Sequence, residues 1–341
     1  MGFWRRQLTG PTDPAADANW EPHRPRKGFF TDTSICIGCK ACEVACKEWN
    51  HVPGRPVDEG GLQMLGSSYD NTGHLGANTW RHVAFVEQDA EQLARARRSG
   101  AVSLGMPTIG QPAAAATSTP PGPSDGAAVG AEAELPDVRW LMSSDVCKHC
   151  THAGCLDVCP TGALFRTEFG TVVVQDDVCN GCGYCVAACP FGVIGRREAG
   201  TVEVGNGQRE AIPKAGVAQK CTLCYDRIGV GGTPACAQTC PTTSIKYGDH
   251  DEMVKLARER LATLHAQGHT EARLYGANPE DGVGGTGSVF LLMDEPEAYG
   301  LPPDPVVPTA DLGAMFTRAG IAGTAMLGAV IAIFAGTGRM R

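Results

Sequence analysis

The chain has 341 residues, of which 43% are apolar and 19% charged, with 44 glycines, 23 prolines and 16 cysteines. That apolar share excludes an intrinsically disordered chain, and the length leaves room for two or three modules. A net charge of −8 argues against a nucleic-acid binder, which is more often basic, so no nucleic-acid partner is expected.

Residues 1–30 hold four prolines and no clear periodicity, and read as an arm lying across a partner. Arg5-Arg6 is followed by a polar, proline-broken stretch where a twin-arginine export signal has an apolar run, so no signal is expected there. The first cysteine group is Cys36, Cys39, Cys42 and Cys46, spaced C-x2-C-x2-C-x3-C. Residues 105–136 are rich in Ala, Pro, Gly and Ser, a composition that buries too little surface to offset ordering entropy. They read as a mobile loop with no assigned chemistry.

Three further groups follow: Cys147, Cys150, Cys155, Cys159; then Cys179, Cys182, Cys185, Cys189; then Cys221, Cys224, Cys236, Cys240. All sixteen cysteines are thereby used. The last three groups each end in Cys-Pro, whereas Lys47 follows Cys46. Past the cysteines, Asp251–Gln267 reads as an amphipathic helix with Val254, Leu256, Leu261 and Leu264 on its apolar face. Asp249 or Asp251 would cap its start, and Gly268 would end it. Ser288–Met293 reads as a buried strand, and 251–308 as a lid over the cysteine region 31–250. From Ala319 to Gly338 twenty residues carry no charge, flanked by Arg318 on one side and Arg339 and Arg341 on the other. A helix of that length spans ~30 Å, the hydrocarbon thickness of a bilayer. Residues 309–341 are therefore expected to be a transmembrane anchor in the lipid bilayer. Gly320, Thr324, Gly328, Ala332 and Gly336 recur every fourth residue and give this helix a small-residue face for a membrane partner helix.

A disulfide scaffold suits small secreted domains, and thiols at i, i+3 and i+6 would be redundant as staples. Structural zinc uses paired C-x2-C knuckles; group four alone would pass for one, but the triplets of groups one and three would not. The spacing fits [4Fe–4S] cubanes, three of whose thiolates come from one tight loop and the fourth from elsewhere, and sixteen thiolates make four clusters. Gly38 and Gly181 share one offset in their loops, where a side chain would crowd the cluster or forbid the turn. The fourth cysteine of each group is expected to begin a short helical turn, which the following Pro ends.

In two-cluster ferredoxins the fourth cysteine ligates the other cluster of the pair. Groups two and three lie close enough in sequence to form such a module over 140–200. One cluster is then held by Cys147, Cys150, Cys155 and Cys189, the other by Cys179, Cys182, Cys185 and Cys159. By elimination, residues 31–50 pair with 215–250. Their clusters use Cys36, Cys39, Cys42 and Cys240, and Cys221, Cys224, Cys236 and Cys46. The expected fold is α+β: two intertwined two-cluster ferredoxin-like modules, loop-rich, one inserted into the other, plus the anchor helix. His149 and His152 read as ordinary hydrogen-bonding or solvent-facing residues because the cysteine set is complete. Lys40, Lys148 and Lys220 adjoin cysteines and read either as cations that raise cluster potentials or as surface lysines. No nucleophile–base motif and no nucleotide-binding loop in its strand–turn–helix setting is found, so no catalytic residue is assigned.

The segments Ser34–Asn50, Cys182–Phe191, Lys220–Arg227 and Pro234–Pro241 resemble the cluster loops of the iron–sulfur beta subunit of membrane-bound respiratory formate dehydrogenase. Asn278–Thr286 and Tyr299–Pro305 resemble the same subunit's stretch between clusters and anchor. The cysteine pattern alone would equally fit a wire subunit of another molybdenum or tungsten oxidoreductase, or of a membrane hydrogenase. The resemblance implies that formate is oxidised in a separate catalytic subunit with a molybdenum or tungsten pterin. This chain would pass electrons to a membrane cytochrome b (gamma) subunit and a quinone. None of the nine histidines lies in the apolar span, so any haem would be ligated by that partner. The resemblance also places the cluster body on the extracytoplasmic face of the cell membrane and the C-terminus in the cytoplasm.

Overall fold

The computed structural model describes residues 13–16, 18–54, 73–103, 138–204 and 207–337; the Arg5-Arg6 pair and the 105–136 loop lie outside the described residues. The arm gives way to strand β1 (Lys27–Asp32) earlier than its prolines imply. Phe29 and Phe30 are fully buried there, and their burial outweighs the irregular composition just upstream. Helix α1 (Ala41–Trp49) carries Cys42 and Cys46 on its buried side. A two-stranded ribbon of β2 (Arg81–Asp89) and β3 (Val138–Val146) is antiparallel over nine residue pairs, with α2 (Ala90–Ser103) packed beside it.

Short elements follow through the cysteine-rich region. They are α3 (Gly154–Asp157), the hairpin β4–β5 (Leu164–Arg166, Val172–Val174) and α4 (Tyr184–Ala187). Next come β6 (Gly195–Arg196), the pair β7–β8 (Thr201–Val204, Gln208–Ala211), and β9 (Ala218–Gln219), which pairs with β6. Helices α5 (Tyr225–Gly229) and α6 (Ala235–Gln238) complete this region. Its regular structure is brief because cysteine-bearing loops, not layers, occupy most of its chain.

The chain then forms β10 (Ile245–Asp249), α7 (His250–Ala266), β11 (Arg273–Tyr275) and β12 (Ser288–Leu292). These build a four-stranded sheet ordered β10-β1-β12-β11. Strand β1 runs antiparallel to β10 and parallel to β12, with Phe29 opposite Ser288. All five residues of β12 are buried, as the unbroken run Val289–Leu292 requires of a strand covered on both faces. Helix α7 packs on this sheet through Met253, Ala257 and Leu264. Leu256, expected on the apolar face, is exposed, because the buried stripe at 253, 257 and 264 leaves it on the flank of the helix. Asp249 occupies the cap position without a side-chain cap bond, and Gly268 stops the helix at φ +87°.

Glu271, fully buried, ties three elements together. Its carboxylate accepts from Arg139 Nη1 of β3 at 3.0 Å and lies 3.8 Å from Arg97 Nε of α2 and 3.5 Å from His269 Nδ1. The last element, α8 (Leu312–Thr337), is exposed from Ala314 to Ala335, and is long and apolar enough to cross a membrane.

Candidate cluster sites

The cysteine loops turn where glycine permits it. Gly38 and Gly181 have φ of +64° and +73°, a region costly for residues with a side chain. A Cβ at Gly38 would stand 2.5 Å from Met142 Sδ and from Phe85 Cζ, and one at Gly181 2.5 Å from the Gly216 carbonyl oxygen. Protein atoms therefore crowd these positions directly.

The helical turns are placed differently from expectation. Helices α3, α4 and α6 contain the third cysteines Cys155, Cys185 and Cys236. The fourth cysteines Cys159, Cys189 and Cys240 lie just past the helix ends, next to the prolines. In α1, where Lys47 stands in place of Pro, the helix runs on to Trp49 and Cys46 lies within it. A residue after the cysteine that can donate its N–H lets the α-helical ladder continue.

All sixteen thiols are unbridged. Cys147, Cys150, Cys155 and Cys189 line one cavity. Burial raises the Cys150 thiol well above its ordinary value, and the Cys147, Cys155 and Cys189 thiols push it further. Burial likewise pushes Cys155 up to about 12. Cys185 is raised to about 11 by burial and then by Cys179, Cys159 and Cys182. Four thiols that crowd together and resist ionising are stable as thiolates only against strong positive charge, and a coordinating metal deprotonates them outright. No Asp or Glu lines the cavity, and the all-sulfur donor set suits iron–sulfur ligation. Among the described residues no three His, Cys, Asp or Glu side chains are arranged to hold a single ion, as a tetrahedral zinc site would require.

The other two groups meet across the chain. Asn50, at the end of α1, places its amide nitrogen 3.7 Å from Cys46 Sγ and 3.8 Å from Cys224 Sγ. Trp49 Nε1 donates to Asp226 of α5 at 2.8 Å, and the Arg227 guanidinium stacks 4.1 Å from the Trp49 ring centroid. Cys46 is raised by burial and then by Cys221, Cys236 and Cys224, while Cys36 is raised by burial and by Cys240 and Cys39. Burial and, next, the Cys147 thiol raise Cys221 to about 12, so the third sulfur-rich locale adjoins the cavity of Cys147.

Lys148 and Lys220 are core residues, each about 1% exposed, not surface lysines. Lys148 Nζ bonds the Asp145 carboxylate and donates to the Val146 carbonyl at 3.0 Å, and it stands 4.8 Å from the Phe290 ring centroid. Lys220 Nζ donates to the Cys221 carbonyl at 2.9 Å and to that of Val172. Lys40 is half-buried beside Glu43. His149 is buried and its Nδ1 accepts the Val172 N–H at 3.1 Å, which is the hydrogen-bonding role expected of it. His152 lies against Gly284. Arg81, which cysteine spacing gave no reason to select, reaches Cys236 Sγ; its only signal is its place at the start of an alternating strand.

Buried thiol clusters on glycine-turned loops define an iron–sulfur electron-transfer protein. Two family models, each described as a 4Fe-4S dicluster domain, match residues 35–163 and 138–250. The chain is 36% identical over 287 residues to the iron–sulfur subunit of the nitrate-inducible formate dehydrogenase of Escherichia coli K12, covering 82% of this chain and 73% of that one. It is 33% identical over 289 residues to the formate dehydrogenase iron–sulfur subunit of Haemophilus influenzae, covering 84% and 71%. With the formate dehydrogenase-O iron–sulfur subunit of E. coli K12 it shares 32% over 307 residues, covering 89% and 79%. The chain belongs to the formate dehydrogenase iron–sulfur subunits: it is the electron-transfer subunit of an oxidoreductase complex.

Proposed function

We propose that the chain holds four [4Fe–4S] clusters in the crossed ligand sets. These are Cys36, Cys39, Cys42 with Cys240; Cys221, Cys224, Cys236 with Cys46; Cys147, Cys150, Cys155 with Cys189; and Cys179, Cys182, Cys185 with Cys159. The observation that carries this reading is the Asn50 amide, within reach of both Cys46 Sγ and Cys224 Sγ: one donor serves sulfurs from two groups 175 residues apart in sequence. When bound, each cluster takes up and releases one electron at a potential set by its surroundings.

The protein's part is to fix the spacing and order of the sets. Cys221 feels Cys147, which supports an order running from the Cys179 set through the Cys147 and Cys221 sets to the Cys36 set. In this reading electrons enter from a formate-oxidising catalytic subunit with a molybdenum or tungsten pterin. They leave to a membrane cytochrome b subunit that reduces a quinone. Buried Lys148 and Lys220 stabilise negative charge at the Cys147 set, and the many hydrophobic neighbours exclude water. Iron and acid-labile sulfide analysis of the anaerobically purified complex tests the count: about sixteen of each per chain are expected from four cubanes. Stoichiometric zinc would exclude the reading. Formate-dependent quinone reduction by the purified membrane complex tests the activity.

Helix α8 is proposed to cross the bilayer. Its 26 residues extend ~39 Å, enough for the ~30 Å hydrocarbon core. Arg339 and Arg341 follow the span and Arg318 precedes its uncharged part, a bias that favours a cytoplasmic C-terminus and an extracytoplasmic cluster body. Ending the chain at Asp311 is expected to move the subunit and its catalytic partner from the membrane pellet to the soluble fraction on ultracentrifugation. Retention in the pellet would assign the attachment to another surface.

A further inference from the structure

Arg81 has the bulkiest of the fully buried side chains among the described residues, and it has no carboxylate partner among them. It opens strand β2 at 2% exposure. Its Nη2 donates to Cys236 Sγ at 3.3 Å. Its Nη1 donates to Ser144 Oγ at 3.1 Å and to the Ser144 carbonyl at 3.2 Å. The same Ser144 hydroxyl lies 3.1 Å from Cys42 Sγ. The guanidinium stands 4.9 Å from the Phe29 ring centroid, and its Nε is buried without a hydrogen-bond partner.

The side chain thus reaches a sulfur of one proposed ligand set directly and a sulfur of the other through one hydroxyl. A guanidinium taken out of water with no carboxylate beside it is unfavourable unless negative charge is supplied nearby. Among the described residues the side chains it bonds are Cys236 and Ser144, and the sulfurs are the groups there that can carry negative charge.

We propose that Arg81 is a fixed positive charge shared by the two clusters of groups one and four, which raises the reduction potentials of both. The inference rests on the crossed ligand sets proposed above. A cluster with four thiolates gains negative charge on reduction, so a buried cation within hydrogen-bond reach of its ligands favours the reduced form. Because the guanidinium reaches Cys236 directly and Cys42 through Ser144, and bonds no sulfur of the Cys147 or Cys179 sets among the described residues, the effect falls on the pair. Arg81 therefore positions energy levels and takes no part in ligation.

The test is a redox titration of the anaerobically purified complex followed by electron paramagnetic resonance, comparing native chain, Arg81→Gln and Arg81→Lys. Signals of groups one and four are identified by their loss in Cys39→Ser and Cys224→Ser. At full iron content, Arg81→Gln is expected to disfavour reduction of those two clusters about tenfold, 59 mV for one electron, with the other two unmoved. Arg81→Lys, which keeps the charge, should stay within about twofold of native. Four unmoved potentials in Arg81→Gln, a shift in the other two clusters, or an equal shift in Arg81→Lys overturns the proposal. Should Arg81→Gln lose iron, a fully loaded Arg81→Lys with native potentials supports the charge, and loss of iron in both variants overturns it. Iron below sixteen in the native chain counts against the cluster reading itself, whatever the Arg81 variants do.

Discussion

A chain carrying Cys46→Ser is expected to lose the cluster bound by Cys221, Cys224 and Cys236 and to keep the one at Cys36, Cys39 and Cys42, although Cys46 belongs by sequence to the latter loop. Cys46 is buried inside α1, with the Asn50 amide shared between it and Cys224, and the Trp49–Asp226 bond pins α1 to α5. A serine hydroxyl there is a hard, weakly acidic donor where a soft thiolate is needed. Iron should fall to about three quarters of the native content, with one resonance signal missing. In the proposed order the lost site is interior, so formate-to-quinone turnover should stop while reduction of an artificial acceptor at the formate side persists. Loss confined to the Cys36 signal would show that each loop keeps its own fourth cysteine.

The second large effect concerns stability. Glu271→Ala is expected to destabilise the protein by about 2–3 kcal/mol, the cost of removing a charged acceptor from half-buried arginines. Arg139 would keep its bonds to Gln88 Oε1 and the Met293 carbonyl, but its charge, with that of nearby Arg97, would lose its carboxylate partner in a half-buried site. Because Arg139 lies on β3, Arg97 on α2 and Glu271 before β11, the loss loosens the ribbon and the sheet together. Anaerobic denaturant titration of the iron-loaded complex measures it. Glu271→Gln, which keeps the shape and one acceptor, should cost less; equal losses would point to packing as the source.

Much of the site was legible in the sequence because cluster ligation leaves a local signature. Three sulfurs must converge within a few residues, and Gly38 and Gly181 mark the turns that allow it. The apolar run after Arg318 was legible for a similar reason: a helix in lipid has no polar side to obscure its length. What escaped depends on contacts between distant residues. Arg81 looks like any strand-edge arginine until β2 is laid against Cys236 and Ser144. Leu256 counts as apolar in any window, and only the packing of α7 on β1 and β12 decides that Met253 and Ala257 face inward instead. The start of β1 was hidden because the arm's prolines dominate composition, whereas Phe29 and Phe30 dominate the burial.

The central sheet also sets a timetable for biosynthesis. Strand β1, made among the first thirty-odd residues, lies between β10 and β12, and Phe29 finds its parallel neighbour only at Ser288. On a ribosome, the nascent segment bearing Cys36–Cys46 must therefore wait, edges unpaired, until nearly the whole polypeptide has emerged. The stretch from Cys147 to Cys189 is complete much sooner and draws its four-sulfur cavity from its own length. The sulfurs of Cys147–Cys189 can therefore gather first, whereas the strand beside Cys36–Cys46 gains its last neighbour only when β12 arrives.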